Sequence, residues 1–175
     1  GRAALRTDVL AKEVQDRVVA VGKTITAAGG MVDYGARPDF DAAEAHGIFR
    51  TLLWSAMAAR TPDADFGKLL EAAGELSPDD RSGGAQMLRM QTITYHDRYT
   101  AHNKRMHLRW AWDAFFHDYD ALIAPIMATP AFEHDHSDMG KRKITIDGEE
   151  RPYWEQLFWA GMAVCSYLPS TVIPT

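Results

Sequence analysis

From Ala85 to His117 the chain has neither proline nor glycine. That run predicts one helix of about 30 residues, roughly 45–50 Å long at 1.5 Å per residue. Any fold of the chain must find neighbours for it. It carries Met87, Met90, Tyr95, Tyr99, Met106, Trp110, Trp112, Phe115 and Phe116. Aromatic residues on both sides of its C-terminal end predict burial all round at that end.

The other elements are punctuated more clearly. Residues 8–28 read as a helix, because Leu10, Val14, Val18, Val21 and Ile25 recur at spacings of three and four. Asp8 is its expected cap and Gly29-Gly30 its stop. Met31–Tyr34 is a strand candidate. Asp41-Ala42-Ala43-Glu44 has the spacing of a capping box and opens a helix to about Ala59. A short helix near 65–73 follows. Ser77-Pro78-Asp79-Asp80 reads as a helix entry, with Ser82-Gly83-Gly84 as an interruption before the long helix. Tyr119–Pro125 is the strongest strand candidate, a short apolar run closed by proline. Residues 126–140 read as a loop. Lys143–Ile146 alternates and is followed by Asp147-Gly148, a hairpin turn signal. Residues 153–165 form a helix, and Ser170–Ile173 a final strand. The expected class is α/β and helix-rich, with a mixed sheet carrying 120–125 and 170–173. Three or four strands are too few for a parallel sheet, whose strands need neighbours on both sides, so the sheet is expected to be incomplete within this chain.

Composition narrows the function classes. The chain has 175 residues and a net charge of -5, which argues against a partner nucleic acid held on a basic surface. No apolar run reaches the ~20 residues of a membrane-spanning helix. The single cysteine, Cys165, cannot form an internal disulfide, which fits a reducing compartment and the expectation of a cytoplasmic protein. The start at Gly1 and the end just after a strand-like run lead to the expectation of a piece of a longer protein.

Several constellations invite chemistry. In Glu133-His134-Asp135-His136-Ser137-Asp138, alternate histidines on an extended segment point the same way, as a metal pair would. Zinc takes three or four ligands, however, so His102 or His107 would have to join them. The alternative is a solvated polar loop. His96, His102, His107 and His117 do not keep one helical face, which argues against a shared role in general-base catalysis. Cys165 lies on an apolar segment and reads as a small buried hydrophobe before it reads as a nucleophile. There is no nucleophile elbow and no phosphate-binding glycine loop. No catalytic residue, metal or cofactor is assigned on this basis. The residues alone leave open a metal-dependent hydrolase using His134 and His136, and a helical interaction module built on the long helix.

One resemblance is specific. The segment Asp113-Ala114-Phe115-Phe116-His117-Asp118-Tyr119-Asp120-Ala121-Leu122-Ile123-Ala124-Pro125 resembles the amidase signature family's aromatic helix, Tyr-Asp and apolar strand ending in proline. Thr129-Pro130-Ala131-Phe132 and His134-Asp135-His136 resemble the loop that follows in bacterial members. Tyr153, Gln156, Trp159-Ala160-Gly161 and Leu168-Pro169-Ser170-Thr171-Val172-Ile173-Pro174 resemble its late helix-to-strand segment, in the same order and spacing. The match is strongest from about 110 to 174. It implies part of an α/β/α sandwich and an enzyme that cleaves carboxylic amides with a serine nucleophile, a second serine in a cis peptide and a lysine. It also implies a small-molecule amide substrate, with homodimers common in the family. The chain has no Ser-Ser pair, and Lys12, Lys23, Lys104 and Lys143 match no motif position. As a C-terminal portion of such an enzyme it should be inactive alone and should supply scaffold and pocket lining. By position in the family, the resemblance assigns the lining of the acyl side to Trp154, Leu157, Phe158 and Leu52.

Overall fold

The computed structural model describes residues 10–137 and 141–175. In chain order the elements are α1 (Lys12–Ala27), α2 (Ala42–Ala58), α3 (Asp63–Gly74), α4 (Gly83–Gln91), α5 (Tyr95–Phe115), β1 (Lys143–Ile146), β2 (Glu149–Pro152), a 3-10 turn (Tyr153–Gln156) and α6 (Leu157–Cys165). The fold is helix-rich with a two-stranded antiparallel sheet.

Local chemistry accounts for most boundaries. Asp41 caps α2 by accepting the Glu44 N–H at 2.7 Å, as its capping-box spacing requires. The expected cap of α1, Asp8, lies outside the described residues. In the hairpin, Ile146 pairs with Glu149 across Asp147-Gly148. Both turn residues have positive φ, 49° and 87°, which Asp and Gly tolerate and a two-residue hairpin needs.

The long helix is the clearest correction. It is two helices, α4 and α5, broken at 92–94. Thr94 leaves the helical region and accepts the Asp97 N–H at 3.1 Å, while its own hydroxyl donates to Asp97 Oδ2 at 2.7 Å. A threonine that caps a new helix satisfies donors which a continuous helix would bond to carbonyls, so the break needs neither Pro nor Gly. Upstream, Ser82 caps α4 through the Ala85 N–H, and Gly83-Gly84 belong to the helix. Ser77-Pro78-Asp79-Asp80 is a turn rather than a helix entry. Arg89 holds it by donating to the carbonyls of Ser77 and Asp80, at 2.8 and 2.6 Å.

The strand expectations at 31–34, 119–125 and 170–173 are also overturned. None of these segments joins a sheet among the described residues, and the mixed sheet expected to carry 120–125 and 170–173 is not there. A strand is completed by its neighbour's backbone, and no neighbouring strand among the described residues meets these segments.

Three buried clusters hold the elements together. Leu10, Ala11, Ala128, Ile144, Ile146 and Trp159 join the start of α1, the hairpin and α6. Ala11 N–H donates to Ala128 O at 2.8 Å at the centre of this cluster. Ile48, Phe49, Leu52, Ala101, Leu108 and Cys165 join α2, α5 and α6. Ala36, Trp112 and Phe115 bury the end of α5 under the 33–40 loop. The expected all-round burial there holds only in part: Trp112 is 2% exposed, whereas Trp110 is 64% exposed and Phe116 38%.

Candidate functional site

The helix seam between α2 and the 153–165 segment is where the sequence-assigned lining residues sit. Phe158 is buried, with its ring 5.6 Å from that of His46 on α2 and edge-on to Trp159 at 5.1 Å. Leu52 is buried in the cluster with Phe49 and Leu108, and half-buried Leu157 packs against the same cluster. Trp154 meets Trp54 edge-to-face at 5.0 Å. All four therefore lie along one seam, and Phe158 also borders a cavity.

That cavity lies where α2, α5 and α6 meet. Its space is about 30 Å³, lined by Phe40, His46, Phe49, Leu108, Trp112 and Phe158, with Cys165 and Ser166 also in the lining. A volume of that size holds no more than a water or two, and apolar walls favour small apolar groups over charged ones. Burial pushes the Cys165 thiol up, and the nearby Arg105 charge offsets this only in part. A thiol held protonated is a poor nucleophile, so Cys165 is core, as expected from its apolar segment. His46 was not singled out by the sequence. Its signal is the position one turn before Phe49 on a helix whose apolar face runs through Leu52.

Two further buried polar groups stand at the start of α6, one on the turn entering it and one in its first turn. Gln156 is 4% exposed, and neither end of its side-chain amide has a hydrogen-bond partner among the described residues; nor has Trp159 Nε1. Glu155 beside them pairs with Arg151 at 3.7 Å. Such groups are costly to bury unpaired. A lone glutamine in an aromatic-rich segment gives no sequence signal of burial.

Among the described residues the histidine loop brings no third metal ligand together. His134 and His136 are exposed, with ring centroids 6.0 Å apart. Asp135 is held below the usual carboxylate range by the Ser137 backbone N–H, then by the Ser137 hydroxyl. His102, the first candidate third ligand, accepts from Arg105 on α5, and His107 stacks on Trp110 at 5.0 Å. Among the described residues no group of three or more His, Cys, Asp or Glu is placed to hold an ion; Asp138 lies outside them. No helix among the described residues is long and apolar enough to cross a membrane.

Comparison with protein-family models, with curated proteins and with solved structures gives no match to this chain.

Proposed function

We propose that these residues are part of a hydrolase that cleaves carboxylic amides through a serine nucleophile. In this reading the chain supplies the helical backing and the seam around Phe158, Leu157, Leu52 and Trp154. The serine, the second serine and the lysine come from polypeptide other than these residues. The observation that carries the reading is the order and spacing of the motif segments between Asp113 and Pro174. The strand-like runs add support. Ile123, Val172 and Ile173 are 38%, 67% and 56% exposed on segments without a sheet partner among the described residues. Apolar side chains left exposed on such runs are what a surface awaiting further chain presents. No mixed sheet forms among the described residues, so the reading rests on the motif order.

Chemically, the serine would attack the amide carbonyl, and the relayed proton would leave with the amine. Backbone N–H groups would hold the developing oxyanion, usually the largest electrostatic contribution in acyl transfer. Nothing in the seam is required to exchange protons, which suits its apolar lining.

The test is ammonia release from a panel of aliphatic and aromatic primary amides. It compares the gene product in which these residues occur with the 175-residue chain alone. Hydrolysis by the gene product and none by the chain is the expected result. No hydrolysis of any amide by the gene product, or equal hydrolysis by the chain alone, overturns the proposal.

A further inference from the structure

We infer that Arg105, Arg109 and Tyr167 form a binding site for an oxyanion, a carboxylate or a phosphate, beside the C-terminal end of α6. The first observation is backbone geometry. After Cys165 the chain closes α6 with two hydrogen bonds, Tyr167 N–H to Val164 O at 3.3 Å and Leu168 N–H to Ala163 O at 3.0 Å. This is the Schellman closure, whose residue following the cap is left-handed and usually glycine. Here it is Tyr167, at φ 59°. A glycine would make both hydrogen bonds without the steric cost of a Cβ in that region. Something about the side chain therefore holds tyrosine at the position, and packing is a poor explanation, because Tyr167 is 58% exposed.

The second observation is what the ring meets. Arg105 and Arg109 both lie over it, with guanidinium carbons 4.5 and 5.4 Å from its centroid. They are one turn apart on α5, a spacing at which like charges repel. Among the described residues neither has a carboxylate within ion-pair distance, in a chain whose net charge is -5. Tyr167 thus gathers two cations that no carboxylate among the described residues pairs with.

The third observation is unspent hydrogen-bonding capacity. Each guanidinium has five N–H donors. Arg105 Nη2 donates to His102 Nδ1, while its Nε is buried with no hydrogen-bond partner among the described residues. Arg109 Nη1 makes a 3.8 Å contact with the Met106 sulfur. Two guanidiniums held against one aromatic ring keep N–H donors to spare, and paired guanidinium donors suit planar or tetrahedral oxyanions.

The experiment titrates the chain with inorganic phosphate and, separately, with acetate, holding ionic strength constant with sodium chloride. It follows the Arg105 and Arg109 Nε–H resonances. A saturable shift with one or both anions, absent with chloride alone, is expected, and which anion acts identifies the ligand class. Arg109→Gln, at an exposed position, should weaken binding about tenfold or more. Tyr167→Gly should weaken it severalfold while leaving the closure of α6 intact by circular dichroism. The absence of a saturable response to either anion overturns the site. So does binding that Arg109→Gln and Tyr167→Gly leave unchanged, which would make the stack purely structural.

Discussion

Both carboxylate oxygens of Asp147 accept the backbone N–H of Lys12, at 3.0 and 3.2 Å. The tip of the β1–β2 hairpin thereby caps α1 across 135 positions of sequence. The cap residue of α1, Ala11, has no side-chain acceptor of its own, so a negative group from elsewhere meets the positive end of the helix. Asp147→Ala should cost about 1–2 kcal/mol, the upper range for a lost cap, because it also places alanine at a positive φ. Asp147→Asn keeps an acceptor and tolerates that φ, so it should cost less than half as much. Urea denaturation of the two variants checks this; equal losses would remove the capping role.

Asp33 links the 33–40 loop to the segment after α5. It accepts from the Gly35 N–H at 2.7 Å, the Tyr119 hydroxyl at 2.9 Å and the Ala36 N–H at 3.1 Å. The Gly35 N–H, then the Tyr119 hydroxyl, holds its carboxyl below the ordinary 3.8. A lowered folded pKa adds stability that is fully present above the unfolded value, about 3.9, and is lost as pH falls through the folded value. The urea midpoint should therefore drop on acidification below about pH 4. Asp33→Asn should flatten that drop and Tyr119→Phe should reduce it, both slightly because the site is exposed. A drop unchanged in Asp33→Asn would assign it to other carboxylates.

Gly161 is held by packing, not by backbone conformation. A Cβ there would come within 2.8 Å of Phe49 Cε1. Gly161→Ala should therefore destabilise by about 1–3 kcal/mol, against the usual gain for alanine in a helix. Gly67, inside α3, has open space where a Cβ would stand, with nothing within 4 Å, and Gly67→Ala should stabilise by about 0.5–1 kcal/mol. Opposite signs in denaturant melts are the expected result.

Gln156 gives a test of its unpaired amide. Gln156→Met keeps the length and removes both polar ends, so it should be neutral or stabilising by up to about 2 kcal/mol. A loss of stability would show that the amide is satisfied.

The helices that punctuation marks were legible in the sequence. Asp41 with Glu44 opens α2, the period-three-and-four apolar row gives α1, and Asp147-Gly148 gives the hairpin. Thr92-Ile93-Thr94 was not legible as a break, because a capping threonine and a helical one look alike until the backbone is seen. Tyr119–Pro125 and Ser170–Ile173 have strand-like composition, yet strand pairing depends on a second segment that local pattern does not contain. At the seam, burial of Phe158 and Leu52 follows from helix periodicity. The Tyr167 stack does not, because it joins α5 to the end of α6 through long side chains.

The proposed amidase has its nucleophile outside these residues. The most direct measurement treats the gene product containing them with a fluorophosphonate and maps the modified residue by peptide mass spectrometry, alongside loss of amide hydrolysis. The account predicts one modified serine, outside residues 1–175, and activity lost in proportion to labelling. A modified serine within these residues, such as Ser55 or Ser166, or amide hydrolysis untouched by the reagent, would contradict it.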